Sequence, residues 1–186
     1  MEWINVNEEY LDYLRKIEKR VPRTDYGENK YKPFFGNLFE KDDLCYITQI
    51  SHAQERHRKL RQQKDFYKIY DPKDPSRLIA VVNLNYMFPI PKSEVFPFYK
   101  KKIESYRKFS SSEEKSKYIN LLDKELFVIN SMNLSQKAKD IYDLKYRFPD
   151  SNISKRCFDF KMLEVLAKDY VMMKVNMDSE DKTPEV

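Results

Sequence analysis

The chain has 186 residues and a formal net charge of +5, with 41% hydrophobic residues, 12 Phe, 14 Tyr and only two Gly. That length suits one domain of the usual ~100–200 residues and excludes two large independent cores. So many aromatics exclude a disordered chain, and two glycines exclude the glycine-rich phosphate loops of Walker and dinucleotide folds. Cys45 and Cys157 match neither a zinc knuckle nor a redox pair, there is no HExxH, and His52 and His57 are not spaced as a helix-face metal pair. No metal and no cofactor is expected. The first residues, MEWINVNEEYLDYLRK, lack the regions of a signal peptide, and no apolar run approaches the ~18–20 residues of a membrane span. A cytoplasmic chain with no membrane partner is the expectation.

In chain order, Glu2 to Val6 reads as a strand, followed by Asn7 as the cap of a helix running to about Arg20, with Tyr10, Leu14, Ile17 and Val21 inward and Pro22 as its stop. Arg23 to Pro33 reads as a loop. Phe34 to Glu40 and Leu44 to Ile50 form a hairpin about Lys41-Asp42-Asp43. Phe66 to Tyr70 and Leu78 to Met87 are further strands, separated by the turn DPKDPS, and Phe88-Pro89-Ile90-Pro91 ends the sheet portion. Two overlapping capping boxes, Ser110-x-x-Glu113 and Ser111-x-x-Glu114, open a helix with Tyr118, Leu121, Leu122, Glu125 and Ile129 in register. A second helix begins near Ser135 and a third spans Lys161 to Lys174. Strands first and helices second predict an α+β fold. One domain is expected over 1–175, followed by an acidic, disordered tail over 176–186.

That tail holds four acids against Lys182, which leaves +8 on the remainder. Within the remainder, Ser51 to Lys68 carries Arg56, Arg58, Lys59, Arg61, Lys64 and Lys68 against Glu55 and Asp65, together with both histidines. Cations next to Phe66, Tyr67 and Tyr70 suit a polyphosphate strand, because neutralised phosphates release counterions and aromatic rings stack on bases. The same composition also describes a solvated helix face, and three functions stay open: an RNase, a non-catalytic RNA-binding module and a protein-interaction domain. The chemistry available is acid and base work by His, Tyr, Lys, Arg and Ser. Cleavage at an RNA 2′-hydroxyl needs a base for that proton, cations for the anionic phosphorane and an acid for the 5′-oxygen. An unperturbed imidazole titrates near neutrality, which makes His52 and His57 the candidates for proton transfer, and Lys32, Arg56, Arg58 and Lys59 suit the phosphate.

The order of the segments EEYLDYLRKIEKRVP, KPFFGNLFE, CYITQISHAQERH, DFYKIYD, LIAVVNLNYMFPIP, LLDKELFVIN, KAKDIYDLKY and RCFDFKMLE resembles the ToxN/AbiQ family of endoribonuclease toxins of bacterial type III toxin–antitoxin systems. The resemblance covers about Trp3 to Tyr170. It implies a strongly bent antiparallel sheet with a MazF-like barrel core wrapped by helices. It implies metal-independent RNA cleavage leaving a 2′,3′-cyclic phosphate and a 5′-hydroxyl. The implied partners are a small repeat RNA antitoxin, processed into pseudoknots that inhibit the toxin in a closed ring-like assembly, and cellular or phage RNA as substrate. Growth arrest in defence against phage is the implied outcome.

For the site, the resemblance implies a run of Ser or Thr, then Ser, Pro, Lys, a variable pair and His. Ser51, His52, Ala53, Gln54, Glu55, Arg56 and His57 stand at those positions. Ser51 and His57 match, whereas His52 replaces a hydroxyl and Gln54 a lysine. Lys32 matches another active-site lysine, and Tyr26 or Tyr31 matches the loop tyrosine. The expectation is that His52 transfers a proton, Ser51 binds a phosphate oxygen, and Lys32 with Arg56 or Arg58 supplies the lost charge. His57 is a fourth catalytic candidate. Tyr26, Tyr31, Gln54, Arg56, Arg58, Lys59, Arg61, Lys64 and Lys68 are expected to contact RNA.

Overall fold

The first strand and helix form where their residues demand. In the computed structural model, which describes residues 1–27 and 31–180, β1 spans Glu2–Val6 and α1 spans Glu8–Arg15. The Asn7 side chain accepts the Glu9 N–H at 3.1 Å, and Glu8 and Glu9 place negative charge in the first turn, where the helix dipole favours it. The helix ends five residues before the expected Arg20. The Lys16 and Ile17 N–H groups donate to carbonyls three residues back, and this tightened turn carries Ile17 outward. Ile17 is 58% exposed, contrary to its expected inward place, while Tyr10, Leu11, Leu14 and Val21 are buried.

The hairpin follows as β2, Phe34–Lys41, and β3, Leu44–His52. Asp42 adopts φ 52° at the turn, a left-handed conformation that Asp tolerates better than most residues. Gly36 is required where β2 crosses β3, since a side chain there would meet Ile47 Cγ2 at 2.8 Å. The in–out alternation of a half-buried strand is absent over Leu44–Thr48, where every residue is buried. Both faces are covered there. Strands β4, Phe66–Asp71, and β5, Asp74–Asn83, form a second hairpin, followed by β6, Phe88–Pro91, and β7, Val95–Pro97. The run Phe88–Pro91 therefore does not end the sheet. It pairs with Leu44–Ile47, and β7 pairs with β1.

All pairings are antiparallel, in the order β4-β5-β3-β2-β1-β7 with β6 beside β3. Strand β3 is the axis of the fold. One edge pairs with β2 from Leu44 to Gln49, and the other pairs first with β6 and then, over Ile50–His52, with β5. The two outer strands, β4 and β7, do not pair with each other, so the sheet is open and the expected MazF-like barrel core is not confirmed. The three-residue β7 pairs only with β1, so its second edge stays unpaired and the ring does not close.

Helices cover this sheet: α2 Glu55–Lys59, α3 Ile103–Tyr106, α4 Ser112–Ser131, α5 Leu134–Arg147, α6 Asn152–Arg156 and α7 Phe160–Glu180. Mixed α and β structure on an antiparallel sheet agrees with the α+β expectation. Helix α4 packs on β4 and β5, and the Trp3 indole N–H donates to the Leu122 carbonyl at 3.1 Å, which ties α4 to β1. Helix α7 packs on α1 and β6, where Tyr10 and Tyr170 meet edge to face at 5.1 Å. It continues through Asn176 to Glu180. Residues 181–186 lie outside the described residues, as do 28–30 of the predicted loop.

Candidate active site

The candidate site forms where β3 ends. Ser51 pairs with Val81 and His52 with Ala80, and residues directly opposite in a ladder share a face. Val81 belongs to a small cluster with Phe66, Leu78 and Ala53, whereas Ala80 belongs to the main core. Ser51 and His52 therefore project to opposite faces of the sheet.

On the core face, His52 meets helix α4. Its Nδ1 lies 3.4 Å from Glu125 Oε1, and its ring stands edge-on to Tyr118 at 6.3 Å. The Glu125 side chain is 1% exposed, and neither of the two facing atoms has a hydrogen-bond partner. Burial pushes the Glu125 carboxyl up from the usual carboxylate range, opposed by His52 and by the positive charge of Lys32. Burial also pushes the Tyr118 phenol up to about 12, so it stays protonated and donates to the Tyr31 carbonyl at 3.1 Å. Tyr118 also lines a cleft of about 390 Å³, where Arg107 and Lys124 pair with Glu114 and Asp71 at 3.1 and 2.6 Å.

The loop before β2 is clamped to the same strand. Gln49 Nε2 donates to the carbonyls of Arg23 and Lys32 at 2.8 and 3.3 Å, and its Oε1 accepts the Tyr26 hydroxyl at 3.1 Å. Lys32 Nζ sits 5.2 Å from the centre of the exposed Tyr26 ring. Lys32, Tyr26 and His52 are thereby held at one end of β3. Tyr31 is placed otherwise, with its hydroxyl bonded to Asn5 and its ring stacked on Phe98 and Tyr106 at 6.3 and 5.3 Å.

His57 is not brought to His52. It stands at the third position of α2, where its Nδ1 accepts the Gln54 N–H at 3.2 Å, the task a Glu performs in a capping box. The residue is 5% exposed and its ring lies 6.3 Å from Phe66. Burial, then the charge of Arg56, pushes its pKa down, which keeps the cap acceptor bare. Around it Gln54, Arg56, Arg58, Lys59, Arg61 and Lys64 are exposed, while Lys68 is half-buried and donates to the Arg58 carbonyl at 2.8 Å. The cationic segment closes on Asp65, whose buried carboxylate accepts a forked pair of bonds from Arg156 at 2.5 and 2.6 Å. Glu125 and Asp65 are the acids that sequence reasoning left without a role. Glu125 did carry a signal, as a charged residue in the apolar register of Tyr118, Leu122 and Ile129.

Among the described residues, no group of three or more His, Cys, Asp or Glu is placed to hold a metal ion, and no helix is long and apolar enough to cross a membrane. The family model described as toxin ToxN, type III toxin–antitoxin system, matches residues 2–168. The endoribonuclease AbiQ of Lactococcus lactis subsp. lactis is 25% identical over 181 residues, covering 91% of this chain and 89% of that protein. The endoribonuclease ToxN of Pectobacterium atrosepticum is 23% identical over 97 residues, or 51% of this chain, and the match spans only 57% of that relative's length. A solved structure of AbiQ, a lactococcal anti-phage endoribonuclease of a type III system, superposes with a TM-score of 0.71 at 21% identity, covering 92% of this chain and 98% of that one. Another, from work on selective toxin inhibition by a non-coding RNA pseudoknot, gives 0.71 at 22% identity over 91% and 96%. These two likenesses speak for the fold. The match over 2–168 speaks for descent: the chain belongs to the ToxN family of type III toxin–antitoxin toxins.

Proposed function

We propose that this chain is an endoribonuclease that cleaves RNA without a metal ion, by attack of the 2′-hydroxyl on the adjacent phosphate. The supporting observation is the His52 imidazole at the end of β3, with Nδ1 buried and the side chain 37% exposed, so that its open edge carries Nε2. A base at that nitrogen takes the 2′-hydroxyl proton as the O2′–P bond forms. The P–O5′ bond then breaks, and the 5′-oxygen leaves with a proton from a donor of the same site, for which Lys32 and Tyr26 are the candidates. The products are a 2′,3′-cyclic phosphate and a 5′-hydroxyl. Lys32 stabilises the phosphorane from the side of His52. Ser51 and the exposed cations Arg56 and Arg58 hold phosphate from the other face, so the RNA crosses the end of β3.

The substrate is cellular or phage RNA, and the inhibitor is a repeat RNA that the enzyme cuts into pseudoknots and then holds in a closed assembly. Family membership supports this reading, as do fold neighbours described with a processed non-coding RNA that regulates an antiviral system and with inhibition by an RNA pseudoknot. The test compares wild type with His52→Ala, Ser51→Ala and Lys32→Ala on RNA in EDTA. His52→Ala and Lys32→Ala are expected to lose at least about 10²-fold in rate. Undiminished cutting by all three removes the site. Tight binding with no cutting in a single turnover makes the chain an RNA-binding module instead.

A further inference from the structure

Glu125 is a carboxylic acid with no solvent, on a helix otherwise packed by Tyr118, Leu122 and Ile129. Burying such a group is costly unless something faces it. What faces it is His52. The groups gathered there are His52 from β3, Lys32 from the segment before β2, and Tyr118 two turns earlier on α4, with the Arg107 guanidinium 4.4 Å from the centre of the Tyr118 ring. The Tyr118 hydroxyl is already committed to the Tyr31 carbonyl. The Glu125 oxygen and the His52 nitrogen are left for each other.

We propose that Glu125 is a positioning residue for His52: its carboxylate accepts the Nδ1 proton of the imidazole, so that Nε2 presents its lone pair at the open edge of the site. This inference rests on the reading of His52 as the base in RNA cleavage. A neutral imidazole has two tautomers, and only the one protonated at Nδ1 leaves Nε2 free to receive a proton. The 3.4 Å separation closes to a hydrogen bond when the imidazole gains charge, because the attraction then acts between an imidazolium and a carboxylate with little solvent between them. The proton taken from the 2′-hydroxyl thus rests on a ring whose far side is compensated. The ring returns to neutrality when that proton is given up. Glu125 itself neither touches RNA nor transfers a proton to it.

The experiment measures single-turnover cleavage between pH 5 and 8 for wild type, Glu125→Gln, His52→Ala and the double variant. Glu125→Gln is expected to lower the maximal rate on the order of 10²-fold with the apparent KM within about threefold. Its acid limb moves to lower pH, because an imidazolium facing an amide loses its proton more readily than one facing a carboxylate. In the His52→Ala background the Gln substitution is expected to cost nothing further. Wild-type rate and pH profile in Glu125→Gln overturn the proposal, as does an undiminished second loss in the double variant. Wild-type cleavage by His52→Ala overturns the reading of the site itself, and is recognisable as that separate failure. Two-bond 1H–15N spectra of the wild-type protein provide a measurement independent of any variant. Protonated Nδ1 with bare Nε2 on His52 is expected, and the opposite tautomer overturns the proposal.

Discussion

His52 and His57, five residues apart, show how environment divides two copies of one side chain. His52 keeps an open edge, while His57 is sealed against Phe66 and used as a cap acceptor. His57→Ala is therefore expected to cost about 1–2 kcal/mol at pH 7.5 by loss of the cap and of ring packing, while cleavage per folded molecule stays near wild type. The pH dependence has a definite sign. The folded pKa of His57 is lowered, so below about pH 6.5 the unfolded chain takes up a proton that the folded chain refuses, and stability falls with acid. The alanine variant has no such loss. Urea unfolding at pH 7.5 and 5.5 should show the gap between the two proteins narrowing in acid, and a widening gap refutes the cap. The match of His57 to a family position was legible in the sequence, but its burial was not. Burial depends on Phe66, Leu78 and Val81, which the chain brings together only by pairing β4 with β5.

Among the elements, local chemistry was readable where it was self-contained. The overlapping boxes at Ser110 and Ser111 resolve in favour of the second: Ser111 Oγ accepts the Glu114 N–H at 3.1 Å, and the Glu114 carboxylate accepts the Ser110 N–H and hydroxyl at 2.8 and 2.7 Å. Those bonds, the backbone one first, hold the Glu114 carboxyl below its usual range. Ser111→Ala should cost about 1 kcal/mol in thermal or urea unfolding. Because α4 carries Tyr118 and Glu125 to β3, that loss should be accompanied by slower cleavage near the midpoint. Elements defined by distant partners were not readable. The strand Phe88–Pro91 contains two prolines that argue against a sheet position, yet it pairs with β3 and offers the Pro89 carbonyl to the Tyr10 hydroxyl at 2.7 Å. Likewise nothing in the cationic segment itself shows that Arg156, ninety-one positions on from Asp65, forks onto that buried carboxylate. Arg156→Ala should destabilise by about 2–3 kcal/mol, because it leaves a sealed carboxylate without its cation. A destabilisation under about 0.5 kcal/mol would show that Asp65 finds another partner.

For the whole molecule, charge distribution was legible from composition and sheet closure was not. Whether outer strands meet depends on the lengths and partners of β4 and β7, which no window of sequence displays. The exposed cations between Arg56 and Lys64 predict RNA affinity that falls with salt. In a His52→Ala protein that cannot cut, replacing Arg58, Lys59 and Arg61 by Ala should reduce the slope of log affinity against log salt by about 0.7 for each phosphate no longer neutralised. Fluorescence anisotropy between low and moderate salt measures it, and an unchanged slope would place the RNA elsewhere. The central claim is that the sugar's own hydroxyl breaks the RNA chain at His52. Its most direct measurement uses one oligoribonucleotide with a mapped cut and the same strand carrying a single 2′-deoxy sugar on the 5′ side of that cut, both in EDTA. The account predicts cleavage of the first to a 2′,3′-cyclic phosphate and an intact bond in the second. Equal cutting of both, or no cutting of the first, would contradict it.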